Sequence, residues 1–252
     1  MALNGAKVTA YNCGNLYVVN FCIKVVMRLK RVFDLLFKVN WLKTIYFNLR
    51  YFPFNVALRL PCFIYHRTEL YKMGGKIILN TYPKWGIMKI GPHTLGTQDI
   101  KYSRTMWEVS GTLIVNGNVS IGRGSRISIG SDAILEFGNN FLITGRSSII
   151  CQKEIIFGND CLLSWDILIM DTDFHHILNE TNVIINHPRP IHVGNHVWIG
   201  CRNTILKGVN IADNVIISAN STITKSVTVN NCAVGGSGRD VNVLKRNINW
   251  KG

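Results

Sequence analysis

The chain lacks paired cysteines, enough acids to balance its bases, and any long uncharged apolar run. Its cysteines (Cys13, Cys22, Cys62, Cys151, Cys161, Cys201 and Cys232) are scattered and odd in number, with no two at CxxC spacing. This argues against a disulfide framework and for small, reduced, apolar residues in a cytoplasmic protein. The longest uncharged stretch, Val8 to Ile23, is short for a bilayer span and is broken by Asn12, Asn15 and Asn20. It has no convincing small-residue cleavage site, so no secretory signal is expected. Aspartate and glutamate number 14 against 28 lysines and arginines, a formal charge of +14. Such an excess suits nucleic acid, an anionic membrane surface or acidic small substrates. No recognised nucleic-acid motif accompanies it, and no nucleic-acid partner is expected.

What is present is a chain of 252 residues, 47% hydrophobic, with aromatic and β-branched residues throughout. That is enough core for one elongated domain or two small ones. Between Lys24 and Arg50, seven basic residues meet one acid, Asp34. Leu29, Val32, Phe33 and Leu36 fall on one helical face. Residues 1–60 are therefore expected to be a mainly helical, basic amphipathic segment. It either caps the main body with a solvated face or lies peripherally on the inner face of the cytoplasmic membrane.

Periodicity sets the architecture of the second half. From Val193 the sequence reads VGNHVW, IGCRNT, ILKGVN, IADNVI, ISANST, ITKSVT. The lead residues Val193, Ile199, Ile205, Ile211, Ile217 and Ile223 are all apolar and β-branched. A 3.6-residue helix cannot keep a strict six-residue repeat on one face, and a plain strand alternates every two residues. Three six-residue sides closing one triangular coil satisfy the pattern, and several coils must stack to cover the interior. Phe157, Leu163 and Ile169 continue it upstream, and Ile121, Ile129 and Phe137 do so with looser spacing. The expected division is irregular or early coils over 61–110, regular coils over 111–229 with a loop at 171–192, and a tail at 230–252.

These hexads, with NHVWIG at 195–200 and ISANSTITKSV at 217–227, resemble the left-handed β-helix acyltransferases. The nearest resemblance is to the galactoside, maltose and polysaccharide O-acetyltransferases. It covers the second half of the chain well and the first hundred residues hardly at all. It implies an all-β, left-handed parallel β-helix, since periodicity alone does not set the hand. It also implies acetyl-CoA as co-substrate, a hydroxyl of a sugar or cell-envelope polysaccharide precursor as acceptor, and a homotrimer with active sites between subunits. N-acetylation of an amino sugar and a noncatalytic glycan-binding scaffold are the alternatives.

The stretch DTDFHHILNE, 171–180, breaks the repeat. Without the hexads its two histidines read as exposed loop residues. With them, the family's general base matches His175, and His176 is the rival beside it. A neutral imidazole suits the task of taking a proton from a hydroxyl. Asp171, Asp173 or a backbone carbonyl can hold its second N–H. Gln152 stands where relatives often carry an acid, and with Asp171 and His176 it is assigned to the acceptor. The cofactor positions that the resemblance implies are Gly200, Cys201, Ala219, Thr224, Lys225 and Arg239. His187, His192 and His196 raise the question of zinc, which needs three protein ligands in a catalytic site. No histidine lies between His93 and His175 to complete a set, so no metal is expected.

Overall fold

The computed structural model describes Phe33 and residues 35–92, 95–238 and 240–251. The amphipathic pattern before Phe33, and Arg239, lie outside those residues. The chain forms two compact units, Met1–Val39 and Asn40–Gly252. In the first, residues 35–38 are helical and Phe33 stacks on Phe37 with ring centroids 5.6 Å apart.

The second unit is a three-sided parallel β-helix. Its strands sort into sheets of nine, eight and six, and each coil adds one strand to each sheet in turn. The nine-stranded sheet runs from Cys62–Ile64 to Cys232–Gly235, with Asn242–Arg246 added at the end. The eight-stranded sheet runs from Thr68–Met73 to Ser237–Gly238, and the six-stranded sheet from Lys76–Leu79 to Asn210–Ile211. All pairings but the last are parallel, and they are in register apart from one shift between Leu70 and Lys72. Ile64, Ile90, Ile121, Ile143, Leu163, Ile199, Ile217 and Val234 form one interior ladder. Trp107, Ile127, Ile149, Ile169, Ile205 and Ile223 form a second, and Val115, Phe137, Phe157, Val193 and Ile211 a third. Each of these side chains is buried, and each is worth roughly 1.5–3 kcal/mol when removed from water.

The stack begins at Cys62, within the 61–110 segment for which irregular or early coils are the expectation. Its early coils carry the same ladders but hide them behind unequal corners. The coil positions Asn203 and Ser221 are buried although polar. Asn203 donates to the Gly200 carbonyl at 2.8 Å and accepts the Ser221 N–H at 2.6 Å, so neither group is orphaned.

One corner shows why the sequence repeats as it does. GNN at 138–140, GND at 158–160, GNH at 194–196 and ADN at 212–214 lie over one another. In the middle position an Asx oxygen of each coil accepts a backbone N–H from the coil before. Asn139 takes Asn118 at 2.9 Å, Asn159 takes Asn139 at 2.8 Å, Asn195 takes Asn159 at 2.9 Å, and Asp213 takes Asn195 at 2.6 Å. The third residues, Asn140, Asp160, His196 and Asn214, all have φ near +55°, where Asn and Asp are better tolerated than most residues. A Cβ on Gly138 would sit 2.2 Å from the Gly158 carbonyl oxygen, so the coils can approach only with glycine there.

Both ends of the stack are covered. Asn40 caps the helix α1 (Trp41–Tyr51) by accepting the Lys43 N–H at 3.0 Å. The buried face of α1 then stands in for a missing coil. Asn48 accepts the Cys62 N–H at 3.0 Å and donates to the Cys62 carbonyl at 2.7 Å, while Thr44 Oγ1 accepts the Ile64 N–H at 3.0 Å. At the other end Asn242–Arg246 pairs antiparallel with Cys232–Gly235.

Asn48→Ala strands both backbone groups of Cys62 in a buried position, at about 1–3 kcal/mol for each orphan. Chemical denaturation is expected to show a lower midpoint, and Asn48→Leu is not expected to restore it. A midpoint unchanged in Asn48→Ala would show that the cap is dispensable.

Candidate active site

The loop over residues 171–190 leaves the eight-stranded sheet after Leu168–Met170 and rejoins the stack in the six-stranded sheet at Ile191–Val193. Its root is Asp171, which is fully buried. One carboxylate oxygen accepts the Gln152 N–H at 2.7 Å, and the other accepts those of Lys153 at 2.7 Å and Glu154 at 2.8 Å. The assignment of Asp171 to the acceptor is therefore corrected. Its carboxylate satisfies three turn amides of the preceding coil and faces no solvent.

Beyond the root the chain turns sharply. Phe174 has φ of 61°, a strained value for a bulky side chain, and its N–H bonds Thr172 Oγ1 at 3.0 Å. The far part is a short hairpin, with Leu178 bridged to Ile184 and the Ile185 N–H on the Ile177 carbonyl at 2.9 Å. Ile177, Leu178, Val183 and Ile185 on this hairpin are exposed.

Between root and hairpin lies a polar pocket of about 220 Å³. Gln152, Thr172, Asp173, His175, His176 and Asn186 line it, with Phe174 and Pro188. The structure thus brings together four of the residues singled out from sequence: Gln152, Asp173, His175 and His176. Both rings line the space, although alternation along an extended chain argues for only one.

Asp173 does not hold the His175 ring. Its Oδ2 accepts from the Lys207 ammonium and, at 2.9 Å, from the Asn186 amide. Among the described residues no side chain or carbonyl is hydrogen-bonded to either imidazole. The position of His175 is set through its backbone, whose carbonyl accepts from Asn186 at 2.7 Å. Asn186 also accepts the Ile177 N–H at 2.7 Å, and Lys207 donates to the Asn186 carbonyl at 2.8 Å. Asn186 and Lys207 were not singled out from the sequence, because they meet the loop only through folding.

The remaining candidates lie elsewhere on the same sheet. Gly200, Cys201 and Ala219 share a corner at its opposite edge. A Cβ on Gly200 would meet the Ala219 nitrogen at 2.9 Å and the Ile217 carbonyl oxygen at 2.8 Å, so glycine is needed there. Thr224 and Lys225 are exposed at the edge from which the loop leaves, two coils further on. The three histidines considered for zinc are apart in role. His192 pairs with Glu154 at 2.7 Å, while His196 bonds Asn214 at 2.9 Å and stacks on Trp250 at 4.3 Å. His187 gives its backbone carbonyl to Lys207. Among the described residues no three His, Cys, Asp or Glu side chains group as a metal site. Burial raises the thiol pKa of Cys161 to about 12 and those of Cys62 and Cys151 further, so none is a thiolate at neutral pH.

The Lys207 and Asn186 hydrogen bonds hold the Asp173 carboxyl below its ordinary range. The folded value lies below the unfolded one. The clamp's contribution is therefore complete above the usual carboxylate pKa and is lost as pH falls through the depressed value. Limited proteolysis at 171–190 is expected to accelerate on acidification, and in Asp173→Asn to be fast already at neutral pH with a flatter pH profile. Equal rates in both proteins across the range would remove the clamp.

The profile of the bacterial transferase hexapeptide family (six repeats) matches residues 190–225. The galactoside O-acetyltransferase of Escherichia coli (strain K12) is 32% identical over 40% of this chain and 50% of its own length. The polysialic acid O-acetyltransferase of Neisseria meningitidis is 37% identical over 32% of this chain and 39% of its own. The chain thus spans half or less of these two relatives. The crystal structure of the polySia-specific acetyltransferase NeuO aligns with a TM-score of 0.48 and 20% identity, over 76% of this chain and 83% of that one. The chain is a left-handed parallel β-helix with a hexapeptide-family match at residues 190–225, and it is similar over its second half to galactoside and polysialic acid O-acetyltransferases.

Proposed function

We propose that this protein is an acetyl-CoA-dependent O-acetyltransferase acting on a sugar or cell-envelope glycan hydroxyl. The observation that carries the reading is the pocket shared by His175, His176 and Gln152 on a clamped loop beside a hexapeptide stack. His175 takes the hydroxyl proton as the oxygen attacks the thioester carbonyl carbon. The tetrahedral adduct then collapses, the C–S bond breaks, and the CoA sulfur leaves with that proton. Such a base is worth about 10²–10⁴ in rate. Asn186 and Lys207 act as positioning groups, holding the loop backbone. The relatives' printed activities on galactosides and polysialic acid support the acceptor class.

The donor fits the later coils. Gly200 and Ala219 offer a corner without bulky side chains, and Lys225 is an exposed cation suited to a phosphate. The exposed apolar hairpin Ile177–Ile185 supports a neighbouring protomer beside the site, as a trimer provides. Thiol release from acetyl-CoA on a sugar panel is expected to fall about 10²–10⁴-fold in His175→Ala. Release retained in that variant and lost in His176→Ala would transfer the role to the neighbour. Retention in both would end the reading.

A peripheral location at the inner face of the cytoplasmic membrane belongs to the same proposal. Opposite its buried face, α1 exposes Leu42, Ile45, Tyr46 and Leu49, one stripe at helical spacing, and Phe54 and Leu58 continue it. Arg50 lies beside this stripe, and the charge of +14 favours anionic headgroups. The full chain is expected to sediment with vesicles containing phosphatidylglycerol and less with pure phosphatidylcholine. Leu42→Glu with Leu49→Glu is expected to leave it in solution. Equal recovery of both proteins would sink the proposal.

A further inference from the structure

The eight-stranded sheet carries a second excursion at the edge opposite His175. The chain between Met88–Ile90 and Thr105–Val109 swings out before rejoining it. Its described part is pinned down. Gln98 donates to the Arg123 carbonyl at 2.9 Å, Asp99 accepts the N–H groups of Lys101 and Tyr102 at 2.8 and 3.2 Å, and Arg67 donates to the Lys101 carbonyl. Beneath it is a polar pocket of about 340 Å³. The excursion supplies Tyr102, Ser103 and Arg104, and the stack supplies Gly124, Arg126, Arg146 and Asp166.

The charge in this pocket is unbalanced. Asp166 binds Arg146, with Nε to Oδ1 at 2.8 Å, which fixes that arginine at the corner. Among the described residues Arg104 and Arg126 have no acidic partner. Outside the lining but directly before Gly124, Arg123 is 8% exposed, and its Nε has no hydrogen-bond partner among the described residues. Burial and the nearby Arg67 cation both disfavour its charge. Two guanidinium groups without an acidic partner, beside a third that is held in place, make the pocket electropositive and attract an anion. Planar forked donors suit a carboxylate or a phosphate, in a pocket that also offers hydroxyls from Tyr102 and Ser103.

We propose that this arginine pocket binds a carboxylate of an acidic glycan acceptor, at a sugar remote from the one that reacts. The inference rests on the reading of the His175 pocket as the reaction centre, and it names the substrate class. Arg146 and Gln152 lie on one coil, joined by the strand Ser148–Cys151. At about 3.3 Å per residue, the six steps between them separate the two pockets by at most roughly 20 Å. An extended oligosaccharide lying across the sheet therefore reaches both. Phosphate is the other anion of suitable shape, and the donor's own phosphates are its obvious source.

Calorimetric titration of the full chain tests this with tetrasialic acid, tetragalacturonic acid, maltotetraose and inorganic phosphate. At least one acidic tetrasaccharide is expected to bind about tenfold or more tightly than the neutral one, with an affinity that falls as salt rises. Arg104→Gln and Arg126→Gln are each expected to weaken that binding about tenfold or more and to leave maltotetraose unchanged. Both side chains are exposed, so each variant is expected to keep the parent's thermal midpoint. His175→Ala is expected to retain acidic-glycan binding while losing thiol release. Should no acceptor support thiol release while the arginine-dependent binding persists, the enzymatic reading fails and the site stands. Equal binding of acidic and neutral tetrasaccharides, or no effect of either substitution, overturns the site. Phosphate that binds better than the acidic glycans and is displaced by CoA overturns it in favour of a donor subsite.

Discussion

The structure depends on in-register hydrogen bonding between successive coils. Strands in a sheet lie about 4.8 Å apart, so every coil must present its apolar side chain, its corner and its backbone at the same place as the last. That constraint converts a sequence period into columns. Isoleucine and valine fill the interior columns, glycine occupies the corner where a Cβ would strike the next carbonyl, and Asx residues fill the column that receives turn amides. No single contact is strong, but the columns share their partners, so a change in one coil is felt by both neighbours.

The rigid stack holds irregular chain in defined places. Loop 171–190 is attached to the scaffold at its buried root, Asp171, and held again by Lys207 from the following coil. The His175 backbone is thereby held through its carbonyl, while its ring faces the pocket. The excursion at the opposite edge is tied down through Gln98 in the same manner. The two polar pockets sit at the two edges of one sheet, because loops can leave a coil only at its corners.

Much of this was legible in the sequence where the period was strict. All six lead residues from Val193 to Ile223 are interior, as are Phe157, Leu163 and Ile169 upstream. The early coils were harder to see. Ile121, Ile129 and Phe137 are eight residues apart, and the excursion before Thr105 breaks the count altogether, yet their ladders are unbroken. At the pocket, His175 and Gln152 had been singled out through the family resemblance and a count along the repeat, with His176 beside them. Asp171 was misplaced because a carboxylate facing three backbone amides looks, in sequence, like any loop acid. Asn186 and Lys207 carry no local signature, since their partners lie 11 to 34 residues away in the chain.

The coverings at the two ends of the stack have a wider consequence. A parallel β-helix has no intrinsic length, because its last coil presents the same open backbone as any coil within it. Asn48 and Thr44 at one end, and an antiparallel ribbon at the other, therefore define where the stack stops. Without them the terminal coils would be templates for further strands, and the same repeat that specifies a finite protein would specify a fibre.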